Sequence, residues 1–356
     1  MRTLAELDRY CASTLRRSQR ELDRSGPLRD RGQAALADPS IWEQWWAPRD
    51  LDYGEAHTHP VWQGSFTREQ RLAWNHLQWT LDYITVAQGE RQVVVLNSLA
   101  VARFSDVLPS VCALEERESE EEADHVATFF DVGEAVWRRA FGAGSRLSIL
   151  ATSGFAFASV NPPARKLIGL AANAVFGAHF PTLFFLARGM KSHSFKPFEI
   201  AMAKAEDSHP AIRAISAGHG VDESRHIATS HHLAALSVPL LEAVPQESRF
   251  LFRLAVDRLF PKGRMPRYRL HFWRKVLFDA PRFASVPLVE RRQLFAHVER
   301  NTHRNLARLH PLQDALVSKA NRRIVMECGL KPELRELFVD LLRADPSYAP
   351  TVASIS

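Results

Sequence analysis

His219-Gly220-Val221-Asp222-Glu223-Ser224-Arg225-His226 sets two histidines and a glutamate at positions i, i+4 and i+7. On an α-helix these positions fall within about 60° of one another, so the three side chains project from one face. Two imidazoles and a carboxylate converging on one point suit iron, manganese or zinc. The competing reading is a solvated polar face, or histidines satisfied in a core. With this content of Glu and His, chance supplies only ~0.04 such triplets per chain, which favours the metal.

Glu122-x2-His125 is the next signal. Alone it is weak, because about one Glu-x2-His per chain arises by chance. Glu206-x2-His209 is such a match; it abuts Pro210 at a turn and is read as accidental. Context separates Glu122 from it: Glu121-Glu122-x2-His125 and Asp222-Glu223-x2-His226 share the order acid, Glu, two spacers, His, and each follows a turn. Two Glu-x2-His helices, each paired with a helix supplying one carboxylate, is the plan of ferritin-like di-iron bundles. The alternative is a charge run, since six glutamates crowd residues 115–122.

That plan requires a carboxylate on each preceding helix. Glu90 is the only glutamate between residues 70 and 114. It stands about 17 residues before the turn near residue 107 and Glu122 about 15 after it, so the two are level to within roughly 3 Å. In the second hairpin Glu199 and His193 both remain candidates. Glu199 can bridge two metals and helps offset their charge, but a regular helix would leave it ~9 Å from the height of Glu223. His193 is level with Glu223 but lies in a segment that Pro197 should interrupt. Glu199 is the favoured donor.

The rest of the chain reads as helices. One is predicted over Leu4 to Leu22, followed by loop and a tryptophan-rich patch at Trp42, Trp45 and Trp46. Thr67 with Gln70 forms a capping-box signature for a helix running to about Ser105. Pro109 marks a turn before a helix carrying Val111 to Phe130. Leu167 to Ala187 has no charged residue; its expected form is a buried helix, with a single membrane span as the alternative. A break is expected at Ser192 to Pro197, then a short helix from Phe198 to about Glu206, then a helix from Ala211 to about Leu236. No strand alternation is evident, and the expected class is all-α: a ferritin-like di-iron helical bundle with additional N- and C-terminal helices. Residues 1–60 form the N-terminal extension, 61–240 the core bundle and 241–356 a C-terminal layer, together one continuous domain.

Composition bounds the class. The 356 residues are 46% hydrophobic and 24% charged, which is globular and not disordered. The net charge of +6 is spread among acids with no basic tail, so nucleic acid is not an expected partner. Cys11, Cys112 and Cys328 stand far apart with no CxxC, which argues against a disulfide framework or thiolate metal site and fits a cytoplasmic protein.

At this point the residues resemble the AurF-type di-iron N-oxygenases, the p-aminobenzoate N-oxygenase family. That family carries Glu, Glu-x2-His, Glu and His-x3-Glu-x2-His, and here Glu90, Glu122, His125, Glu199, His219, Glu223 and His226 take those places in order. The Asp222-Glu223-x-Arg225-His226 string and the stretch from His59-Pro60-Val61-Trp62 to Gln70-Arg71 are also similar, and the likeness spans about residues 60–235. The spacing from Glu199 to Glu223 is the departure. The resemblance implies two iron ions, dioxygen, an external electron donor (a ferredoxin or reductase) and oxidation of a small-molecule amine, free or carrier-bound, to hydroxylamine or nitro product. It leaves room for a homodimer, and His219 becomes the added donor that enriches one iron. Histidine ligands need a partner on the second ring nitrogen; Glu121 and Asp222 are the candidates, the alternative being surface acids. Phe176, Phe180, Phe184 and Phe185 are candidates to wall an aromatic pocket, against ordinary core packing. Three readings compete: a di-iron enzyme of another outcome (C–H hydroxylation or desaturation), a non-catalytic ferritin-like metal binder, and a zinc hydrolase. Seven candidate ligands are too many for the last.

Overall fold

A computed structural model describes residues 3–48, 60–147, 161–176, 179–235, 249–259, 267–309 and 319–343. Two of its helices open on the same reciprocal cap. The Glu6 amide donates to Thr3 Oγ1 at 3.2 Å while the Thr3 amide donates to Glu6 Oε2 at 2.8 Å, and α1 (Leu4–Ser25) follows. After α2 (Leu28–Ala37), a 3₁₀ turn (Pro39–Glu43) and α3 (Pro60–Gln63), Thr67 and Gln70 repeat the device at 3.3 and 3.0 Å and start α4 (Arg68–Phe104). Each cap satisfies amides that the first turn would leave without partners. Proline opens α5 (Pro109–Phe141), where its missing N–H costs no helical bond. The remaining helices are α6 (Pro162–Phe176), α7 (His179–Lys204), α8 (Pro210–Ala234), α9 (Arg249–Leu259), α10 (Arg267–Asp279), α11 (Leu288–Leu309), α12 (Lys319–Glu327) and α13 (Pro332–Arg343). The fold is all-α, a helical bundle consistent with the ferritin-like plan; among the described residues the sole β feature is an isolated bridge between Trp45 and Ser208.

Two antiparallel hairpins form the centre: α4 packs along α5, and α7 along α8. Gly133 lets the first pair approach closely, since a Cβ there would meet Ile84 Cδ1 and Thr80 Cγ2 at 3.0 Å. The hairpins are apolar at both ends and polar in the middle. One core joins Leu99 and Phe104 of α4 to Val111 and Leu114 of α5, Leu183 to Ala187 of α7, and parts of α1, α9, α12 and α13. The other joins Trp74 to Ala87 of α4 to Phe129 to Ala140 of α5, with parts of α2, α8, α10 and α11. Glu90, Glu122 and His125 fall between these cores.

Two sequence expectations are corrected here. The chain does not break between Ser192 and Pro197; α7 is continuous from His179 to Lys204 with Pro197 inside it. A proline keeps a helical φ and removes one backbone bond, a local cost of about 3 kcal/mol that packing along a neighbouring helix can exceed. Nor is the uncharged run 167–187 one buried helix. Its first half belongs to α6, where Leu167 and Leu170 are 69% and 51% exposed, and Leu183 to Ala187 of α7 enter the core. Among the described residues no helix is long and apolar enough to cross a membrane. Phe176 and Phe180 have side chains outside the described residues, and Phe184 and Phe185 pack in the core.

Candidate metal centre

All four central helices contribute to the polar middle. Glu90 comes from α4, Glu122 and His125 from α5, Glu199 from α7, and His219, Glu223 and His226 from α8; all are buried except Glu223, which is partly so. Two groups of potential donor atoms emerge, the members of each within 4.8 Å of one another. Glu90, His125, His219 and Glu223 form one, and Glu122, Glu223 and His226 the other. Glu223 belongs to both, as a carboxylate shared by two adjacent cation positions would.

The histidines on the two Glu-x2-His helices are held alike. His125 directs Nε2 to Asp222 Oδ2 at 3.0 Å, which turns Nδ1 toward Glu90 and Glu122, at 3.5 and 3.9 Å. His226 directs Nε2 to Glu121 Oε2 at 3.0 Å and Nδ1 to Glu122 and Glu223 at 3.0 and 3.3 Å. Each imidazole is therefore gripped from behind by the acid that precedes the other helix's glutamate. Arg225 ties these two acids together, donating to Glu121 at 2.8 Å and Asp222 at 2.7 Å, and it also pairs with Glu21 of α1. His219 has the opposite orientation, with Nε2 inward at 2.7 Å from Glu90 and Nδ1 paired with Glu199.

Glu199 thus reaches the site on the outer nitrogen of His219 and belongs to neither donor group. In this position a carboxylate orients the ring and increases its basicity. The side chain of His193 lies outside the described residues.

Electrostatics follow from this packing. Burial pushes the Glu90 carboxyl up, but the neighbouring imidazoles of His125 and His219 outweigh it and hold the group low. Glu223 is likewise lowered against its burial, by His226 first. For His125, burial and the neighbouring His219 favour the neutral ring, yet Asp222 and Glu90 prevail and raise it to about 10. Without a metal these imidazoles hold protons among carboxylates.

Sequence reasoning missed a buried neighbour of the site. Arg188 of α7 pairs with Glu118 at 2.8 Å, Glu122 at 3.2 Å and Glu115 at 3.7 Å. Glu115, Glu118 and Glu122 are spaced i, i+3 and i+7 and share a face, whereas Glu116 and Glu120 are exposed. That periodicity was available in the glutamate-rich run and separates inward from outward acids.

Do the residues fit metal ions? Glu90 Oε2, Glu122 Oε2 and His125 Nδ1 are buried and have no hydrogen-bond partner. Such atoms are costly inside a protein unless a cation or water engages them, and the three flank the two positions. Hard carboxylate oxygens with imidazole nitrogen suit iron or manganese. Two cavities approach from either side of α1. One of about 430 Å³ reaches His125 and Asp222, and one of about 540 Å³ reaches Glu199 and Gly220.

Comparison with known proteins gives one family. Residues 39–154 match the model of a family described as acyl halogenase CylC-like. No curated protein and no solved structure matches the chain. The matched segment carries Glu90, Glu122 and His125; with the carboxylate–histidine cluster it supports an oxidative enzyme of the di-iron type.

Proposed function

We propose that this chain is a non-haem di-iron oxygenase whose iron ions take the two positions that share Glu223. The sharing of that carboxylate by two donor groups is the observation that carries the reading. Glu90, His125 and His219 would complete one position, and Glu122 and His226 the other. Bound there, two irons supply electrons to dioxygen and the oxidising power for attack on a substrate. The chain's own work is to hold that pair. Glu121 and Asp222 fix the rings of His226 and His125, Arg225 keeps both acids in place, and Glu199 orients His219. The apolar cores on both sides limit water at the centre.

The description of the matched family favours oxidation at carbon of an acyl substrate, within the C–H class of outcomes. N-oxygenation of an amine is the second reading, favoured by the third histidine, His219, which the AurF-type pattern also carries. In either case an external electron donor must reduce the centre.

The first test is elemental analysis after anaerobic loading with ferrous ion. About two irons per chain are expected, as in other carboxylate-bridged bundles; one zinc and no iron would overturn the reading. Glu199→Gln should retain both ions with affinity lowered about 10–100-fold, the usual effect of losing a carboxylate behind a ligand histidine. Loss of one ion would make Glu199 a ligand. The loaded protein is then given dioxygen and a reductant with either an acyl thioester and chloride or an aromatic amine. A chlorinated or hydroxylated acyl chain supports the first outcome, and an oxidised amine the second.

A further inference from the structure

Two tryptophans of the patch at residues 42–46 begin a line of rings that ends at the metal centre. Trp42, on the 3₁₀ turn, lies 5.2 Å from Trp46 between ring centroids. Trp46 meets Trp79 edge-on at 5.5 Å, Trp79 lies 4.4 Å from Tyr83, and Tyr83 lies 6.1 Å from His219. Trp46, Trp79 and Tyr83 are fully buried. Trp42 is half-buried and lines an open cavity of about 520 Å³.

Aromatic packing alone would account for contact distances, but the protons point further. Trp79 Nε1–H is buried and has no acceptor. Trp46 Nε1–H donates to the Ile41 carbonyl at 2.8 Å, and an amide carbonyl is too weak a base to remove a proton. An electron taken from either indole therefore leaves a cation that keeps its proton, and the neighbouring ring can refill it without moving a nucleus. Tyr83 donates to Ser216 Oγ at 2.7 Å, and Ser216 Oγ donates to the Ile212 carbonyl at 3.3 Å. A hydroxyl is too weak a base to take the phenol proton, so Tyr83 is not itself oxidised, and the electron tunnels from Trp79 to the centre past its ring. At Trp42 the situation reverses. The Arg139 guanidinium stands 4.4 Å from its ring centroid, disfavours a cation there and so promotes loss of the indole proton to water. The same charge attracts an anionic reductant.

We propose that Trp42, Trp46 and Trp79 form a one-electron relay between the surface and the metal centre. It rests on the di-iron reading above. When dioxygen has oxidised the centre and no substrate is bound, an electron passes inward from Trp79 past the Tyr83 ring. Trp46 then refills Trp79, and Trp42 refills Trp46. Trp42 loses its proton to water, and an external one-electron donor returns the electron while water returns the proton. The oxidant is the dioxygen-oxidised centre, and the final donor is a soluble anionic reductant, for which ascorbate is the probe.

The test exposes the reduced, iron-loaded full chain to dioxygen without substrate and follows indole radicals by electron paramagnetic resonance and oxygenated residues by peptide mass spectrometry. The wild type should show an indole radical and iron-dependent oxygenation of Trp42 that ascorbate suppresses. Trp79→Phe should lose the Trp42 product and confine damage to rings beside the centre such as Phe129. Trp42→Phe, at a half-buried position that leaves the interior intact, should prolong the buried radical. Iron content and dioxygen consumption are measured in the same samples. Equal Trp42 oxygenation in Trp79→Phe, or none above the iron-free control in the wild type, with iron and dioxygen consumption intact, would overturn the relay alone. Failure to bind iron or consume dioxygen would overturn the relay and the di-iron reading together.

Discussion

In His125 the Nε2 atom is committed to Asp222, which leaves Nδ1 as the ring atom facing Glu90 and Glu122. Without metal this imidazole is raised from its ordinary 6.5 to about 10, so it is protonated at neutral pH. A cation that takes Nδ1 must displace that proton, because only the neutral ring is a ligand. Ferrous ion binding should therefore release protons at neutral pH and tighten as pH rises toward 10. Calorimetry in buffers of different ionisation enthalpy measures this; proton uptake would contradict it. The sign for stability is opposite. A raised folded-state value gives the metal-free protein a contribution that is complete below 6.5 and is lost as pH climbs through about 10. His125→Gln should flatten that part of the melting profile.

At the scale of the element, α7 carries Glu199 to His219 because the helix runs through Pro197. The missing N–H leaves the carbonyl of residue 193 without its helical donor, and the local cost is tolerated. Pro197→Ala restores that bond. It should raise stability by about 1–2 kcal/mol in urea titrations, the helical gain less the added freedom of the unfolded chain. Glu199 keeps its register in a continuous helix, so iron stoichiometry should not change. A shift in iron content would mean that the proline sets the position of Glu199. The caps on α1 and α4 act differently. They set where a helix starts, and over 37 residues that start fixes which face of α4 presents Glu90.

For the whole molecule, the centre is a seam of buried charge between two apolar cores. Carboxylates from four helices meet there, and Arg188 and Arg225 supply only part of the opposing charge. Two divalent ions would supply the rest, so binding stabilises the native state alone. Chelation of the loaded protein should lower its melting temperature, by an amount that grows with the ion concentration before removal. A melting temperature indifferent to chelator would show that the seam is satisfied without metal. The N-terminal helix joins this balance: Glu21 pairs with Arg225 and Ser18 donates to Glu121.

Helix class, the Thr67–Gln70 cap and the faces of α5 and α8 were legible in the sequence because they depend on neighbours within about one or two turns. His219, Glu223 and His226 lie on one face by spacing alone, and the level of Glu90 against Glu122 followed from counting residues to a turn. Tertiary structure alone decided what depends on contact between distant segments. The continuity of α7 through Pro197 is one such case, because a local penalty yields to packing that sequence spacing does not reveal. The choice of ring nitrogen is another: His125 and His226 turn Nδ1 inward and His219 turns Nε2, as dictated by which carboxylate lies behind each ring. Arg188 among the glutamates of α5, and the line from Trp42 to His219, join residues far apart in the chain, and only the folded arrangement of the helices brings them into contact.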